Sequence, residues 1–179
     1  MQQAKRVATN TGFLYARMAI TVFISLYSTR LILAALGVND FGIFNLVGGA
    51  IAMLTFLNNA MSGATQRFMS FAEGEGNIKK QKNIFNVSIV LHLITAIIVV
   101  LLLEFAGYFL FNDVFTIPIE RIEAAKWIFH FLIASTFFTI ISVPYDAVIN
   151  AHENMFLVAI LGILEALIKL GVALYISYT

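Results

Sequence analysis

Arg17 is the residue of this chain with the clearest capacity for chemistry. It stands about one and a half turns inside an apolar run that opens near Gly12. In hydrocarbon a guanidinium persists only beside water, an opposite charge or a bound anion. Each helical residue turns by about 100°, which places Asn10, Thr21, Ser25 and Ser28 within about 80° of Arg17. A polar face therefore runs the length of this first helix. Two readings stay open for Arg17: its stem lets the charge snorkel to the headgroups, or the charge holds an anion in a polar passage. Arg30 lies on another face near the far end of the same run, where snorkelling suffices. Arg67 closes a second run, where it suits both the helix C-terminal dipole and an inward-facing loop.

The remaining charges fall into pairs and singles. Glu165 and Lys169 are four residues apart on one helix face, with Glu on the N-terminal side, the better order for an ion pair. They read as a structural pair, or as a coupling switch that opens during transport. Asp146 follows Pro144, which is expected to kink its helix and free backbone carbonyls, a setting for cation sites. Glu104, in the outer part of a third run, is either protonated or paired with Arg30. His92 shares a polar face with Ser88 and Thr95 and reads as a hydrogen-bonded histidine. There is no HExxH, no Walker loop, no GxGxxG and no nucleophile beside a base. An enzyme is not expected, nor a resident metal or cofactor.

The elements that must position these residues follow from composition. Of 179 residues, 60% are apolar, 12% charged and none is cysteine. Mean hydropathy is +0.90. A soluble domain has about a quarter of its residues charged. With 11 basic and 10 acidic residues, this chain cannot cover its surface with charge, and a net +1 gives no field to attract nucleic acid. A soluble enzyme, a nucleic-acid binder and a disulfide-stapled module are excluded as classes. A spanning helix needs about 20 mostly apolar residues. Five stretches qualify, at about 12–36, 41–69, 84–111, 124–149 and 155–178. The expected fold is an all-α integral membrane protein.

Polar or small faces recur on the other runs. Asn45, Thr55, Asn59 and Arg67 fall on one side of the second, and Ser135, Thr139, Ser142, Asp146 and Asn150 lie within about 80° on the fourth. Such faces are expected to meet each other, as a dry bundle of small residues and hydroxyls or as a water-filled cavity. Lys5, Arg6, Arg67, Lys79, Lys80 and Lys82 fall on one side of the membrane, and Arg30, Arg121 and Lys126 on the other. That imbalance puts the N-terminus in the cytoplasm. An odd number of spans and a bare end after the fifth lead to the expectation of a piece of a longer transporter, against a complete five-helix protein.

Several segments carry a resemblance. "STRLILAALGVNDFGIFNLV" with "GGAIAMLTFLNNAMSGATQRFMSFAEGEGN", then "VPYDAVINAHENM" and "LEALIKLGVALY", resemble the opening of bacterial polysaccharide flippases of the multidrug/oligosaccharidyl-lipid/polysaccharide (MOP) exporter superfamily. The resemblance covers nearly the whole chain. It implies a MATE-like plan of two six-helix bundles around a cavity, of which 1–179 would be most of the first, with the second bundle absent. It implies a flippase in the bacterial cytoplasmic membrane that moves lipid-linked oligosaccharide by alternating access. Arg17 best matches a cationic contact to the lipid diphosphate, with Thr21, Ser28, Asn59 and Arg67 as further substrate-facing positions. Glu165, Lys169, Asp146 and Glu104 are the candidate ion-pair or coupling residues, although Asp146 departs from the uncharged residue expected there. The implied partners are the lipid-linked substrate, membrane lipid and the missing bundle. Two alternatives are a cation-coupled multidrug or small-molecule antiporter of the same fold, and a non-transporting membrane scaffold.

Overall fold

The computed structural model describes the backbone of residues 2–53 and 55–178, and the side chains of 7–53 and 60–178. Helices α1 (Gln2–Ala52), α2 (Thr55–Gly74), α3 (Ile78–Phe109), α4 (Ile119–Ala151) and α5 (Met155–Tyr178) follow in order, with a π-helical turn at Leu110–Val114. No strand occurs among the described residues. Among the described residues four helices are long and apolar enough to cross a membrane: Val7–Ala52, Ile78–Val114, Ile119–Ala151 and Met155–Tyr178. Leu101, Phe105, Phe131 and Tyr175 are among many large apolar side chains left exposed. Water would penalise such a surface, and lipid accepts it. The chain is an all-α protein of multi-pass membrane character.

The second expected span is divided. Residues 41–69 do not form one helix: α1 ends at Ala52, Met53 lies in a turn, and α2 starts at Thr55. The piece that begins at Thr55 carries two asparagines, Gln66, Arg67 and Glu73 in twenty residues and is more polar than the other helices. The expected turn at 36–40 shrinks to one residue. Gly37 takes φ 74° and ψ 171° inside α1, a conformation that strains any residue with a Cβ. The gap between the second and third expected spans also shrinks, to residues 75–77. Gly76 has φ 65°, and the Asn77 side chain caps α3 by accepting from the Lys80 N–H at 3.0 Å. α4 continues through the buried Pro144 to Ala151.

Two compact units divide the chain, Met1–Phe41 with His152–Thr179, and Gly42–Ala151. In the first, α1 and α5 run parallel. Asn10 Nδ2 donates to the Glu153 carbonyl at 3.3 Å, and the Phe13 and Phe156 rings meet at 5.3 Å. Arg17 lies on Gly162. The buried face of α5 is Ala159, Gly162, Ala166 and Ala173, small residues that let helices approach where apolar burial gives no drive.

In the second unit α3 and α4 are antiparallel. Val47 and Ile51 from the end of α1 join Ala96, Val99, Leu103, Ala125, Phe129, Ile133 and Ile140 in one core, and α2 packs on α3 and α4. Phe129, 2% exposed, presses its ring on Gly107, where a Cβ would sit 2.8 Å from the ring's Cζ. Phe111 meets that ring edge-on at 5.5 Å.

Candidate functional site

The first unit holds Arg17, Thr21 and Ser28 on the polar side of α1. A Cβ on Gly162 would come within 2.7 Å of Arg17 Cζ and 2.8 Å of Nη2, so the missing side chain is the slot in which the guanidinium rests. Arg17 is half-buried. Among the described residues no carboxylate pairs with it. Five N–H donors on a planar cation are left for an anion, with geometry suited to a phosphate or carboxylate edge. Thr21 Oγ1 donates to the Arg17 carbonyl at 2.9 Å and contacts that of Met18 at 3.1 Å, so its hydroxyl is engaged by its own helix. Ser28 is 5% exposed, and its Oγ has no hydrogen-bond partner among the described residues. Lys169 Nζ meets Glu165 Oε1 at 2.8 Å, with both side chains largely exposed. Two opposite charges joined this way present a near-neutral group to their surroundings.

The second unit holds the polar face of α4. Ser135, Thr139, Ser142 and Asp146 are all exposed. Thr139 donates to the Ser135 carbonyl at 2.9 Å and Ser142 to that of Thr139 at 2.8 Å, while Ser142 Oγ stands 3.5 Å from Asp146 Oδ2. Hydroxyls bonded to their own helix tolerate lipid, but an exposed carboxylate with one distant hydroxyl does not. On an adjacent arc of the same helix Trp127, Phe131 and Phe138 are also exposed. The outer side of α4 therefore has a polar arc beside an apolar one. Within this unit the polar arc stays outside the core, which lies about 110° away around α4 and opposite the apolar arc.

His92 is 1% exposed, and its Nδ1 lies 2.8 Å from the Ser88 carbonyl. A carbonyl oxygen requires a donor there, so Nδ1 carries the proton and Nε2 is an acceptor with no partner among the described residues. It lines a mostly apolar cavity of about 460 Å3 between α2 and α3 with Thr65, Ser88, Met61 and Leu91.

Glu104 has a partner that the sequence reading did not name. Its Oε1 is 3.0 Å from His130 Nδ1 across the α3–α4 hairpin. Both residues stand thirteen positions from residue 117, inside the connection at 115–118, so hairpin symmetry brings them level. That equidistance was the signal the sequence offered for His130. Arg67 is exposed on α2. The side chain of Asn59 lies outside the described residues. Thus Arg17, Thr21 and Ser28 share one helix in one unit, while Arg67 belongs to the other. No group of three or more His, Cys, Asp or Glu is placed to hold a metal among the described residues.

No protein-family model, curated protein or solved structure matches this chain. The fold and the site define a class, an all-α membrane protein with several spanning helices. Its particular features are a half-buried arginine seated on a glycine and a polar arc exposed on a spanning helix.

Proposed function

We propose that this chain works in a flippase that carries lipid-linked oligosaccharide across the bacterial cytoplasmic membrane by alternating access, with its N-terminus in the cytoplasm. The observation that carries the reading is Arg17, a guanidinium seated on Gly162 inside an apolar helix with no carboxylate paired to it among the described residues. An oligosaccharide head cannot cross about 30 Å of hydrocarbon unaided. A planar cation with several donors can hold the diphosphate that joins sugar to lipid. The exposed polar arc of α4 supplies hydroxyls along the helix axis and supports a wet passage over a wholly dry bundle.

A topological argument supports five crossings over four. The parallel α1–α5 pair puts the start of α5 on the same side as the start of α1. An odd number of crossings must then separate the end of the first arm of α1 from the start of α5. α3 and α4 provide two, so residues 38–74 provide one more. The break after Ala52 makes that crossing a discontinuous helix, a form found where helices line substrate paths.

The test replaces Arg17 by Ala and by Lys in the producing cell and measures surface polysaccharide at matched protein level. Arg17→Ala abolishes export, and Arg17→Lys retains a minor part of it, because an ammonium cannot make the paired donors. Full export in both variants overturns the reading.

A further inference from the structure

The hairpin end of α3 and α4 encloses a second cavity, of about 320 Å3, that the flippase reading does not use. Its polar groups come in turns. Glu104 and Tyr108 are one helical turn apart on α3, and Lys126 and His130 one turn apart on α4. Asn112 adds its amide from the π-helical turn at the mouth. π-helical turns concentrate at functional sites because they leave the regular hydrogen-bond ladder and aim side chains sideways. Phe129 closes the back, 2% exposed and packed on Gly107 and Phe111, so the accessible ring is that of Tyr108, 68% exposed.

The donor and acceptor inventory decides what fits. With Glu104 ionised, the 3.0 Å contact requires a proton on His130 Nδ1, which leaves the second Glu104 oxygen as an acceptor and His130 Nε2 as a further hydrogen-bonding atom. Lys126 contributes donors, Asn112 both kinds, and the Tyr108 hydroxyl both kinds. A phosphate would face the Glu104 carboxylate. A metal ion or organic cation would face Lys126. A hydrocarbon would leave Lys126, Asn112 and the Tyr108 hydroxyl without a partner from the ligand, at a cost each. A ring bearing several hydroxyls, with a C–H face to lay on an aromatic side chain, meets every one of these groups with its complement. The volume is at the small end for ligand pockets and suits one ring better than a chain.

We propose that this cleft is a binding site for a single saccharide ring, with Glu104, His130 and Asn112 hydrogen-bonding its hydroxyls and the exposed Tyr108 ring receiving its apolar face. Lys126 at the mouth gives the site tolerance for a ring that carries a carboxylate. The assignment stands on the residues of the hairpin alone and does not depend on Arg17 or on transport.

The experiment is saturation-transfer NMR on the purified chain in an amine-oxide detergent, which has no sugar headgroup to compete. The probes are N-acetylglucosamine, glucuronate and inorganic phosphate, the last followed by phosphorus line broadening. Saturation is expected to reach the ring protons of at least one sugar at millimolar concentration, with no broadening of phosphate. Glu104→Gln and Asn112→Ala each lower the sugar signal at least fivefold, while Phe138→Leu, on the outer side of α4, leaves it unchanged. Helicity by circular dichroism confirms that each variant folds, and Asn112→Ala carries the test alone if Glu104→Gln does not fold. A Lys126→Gln variant that loses glucuronate but keeps N-acetylglucosamine supports the placement. No transfer to either sugar, transfer undiminished in the folded cleft variants, or binding of phosphate alone overturns the proposal. Loss of export in Arg17→Ala with sugar binding intact leaves this site standing, and sugar binding lost with export intact refutes this site without touching the other.

Discussion

Replacing Gly162 by Ala tests the seat of Arg17. The new Cβ would stand 2.7 Å from Arg17 Cζ and 2.8 Å from Nη2. Ordinary contact is about 3.5–4.0 Å, so the guanidinium must retreat by roughly 1 Å. Moving a side chain off its preferred rotamer costs about 0.5–1.5 kcal/mol. The backbone at Gly162 is helical, where Ala is intrinsically better than Gly by up to about 1 kcal/mol. The two effects oppose each other when Arg17 is present, and only the favourable one survives when it is absent. Gly162→Ala is therefore expected to be neutral to destabilising by about 1 kcal/mol in the native chain. In an Arg17→Ala background it stabilises by up to about 1 kcal/mol. The coupling is about 1 kcal/mol, and for a chain of this size each kcal/mol moves the melting temperature by roughly 2–4 °C. Thermal unfolding of the four proteins in detergent, followed by circular dichroism, reads it directly. Equal effects of Gly162→Ala with and without Arg17 would refute the reasoning, because the glycine would then be serving backbone packing and not the arginine.

Gly107→Ala meets a stiffer neighbour, since the Phe129 ring is buried and cannot swing away. It is expected to cost about 1–3 kcal/mol, partly restored by Phe129→Leu, in the same unfolding assay. Lys169→Leu alone leaves Glu165 charged beside lipid, and is expected to lower membrane insertion more than the double replacement Glu165→Leu with Lys169→Leu. A single central charge costs about 2.5–3.5 kcal/mol on the insertion scale, and a glycosylation-based insertion assay compares the two. Because the chain has no cysteine, single cysteines at Gly76 and Glu153 report topology cleanly. Both are expected to react with an impermeant thiol reagent from the cytoplasmic side, and labelling of both from the outside contradicts the five-crossing arrangement.

The sequence made the long apolar helices legible because an unbroken run of about 20 apolar residues has few other fates. The first arm of α1, α3, α4 and α5 all follow from such runs. Its boundaries ran short wherever polar residues continue a helix past the hydrocarbon, as at Ile78–Lys82, where the Asn77 cap and not hydropathy sets the start. The break between Ala52 and Thr55 left no mark. The double glycine at 48–49 stays helical, and the interruption falls after it without Gly or Pro. Of the candidate site, the α1 and α4 stripes and the Glu165–Lys169 spacing are local to one helix, so periodicity reveals them. Gly162 under Arg17 and His130 beside Glu104 are contacts between helices. The first joins residues far apart in a parallel pair, which no local pattern encodes. The second was readable only by folding the hairpin about its connection.

In the flippase proposed above, the polar arc of α4 faces water while the adjacent apolar arc faces lipid. Single cysteines at Ser135, Thr139 and Ser142, compared with Phe131 and Phe138, test this in native membranes with a charged, membrane-impermeant thiol reagent. Rapid labelling is expected at the three hydroxyl positions and little at the two phenylalanines. Equal protection of all five would contradict it and leave a bundle with no passage.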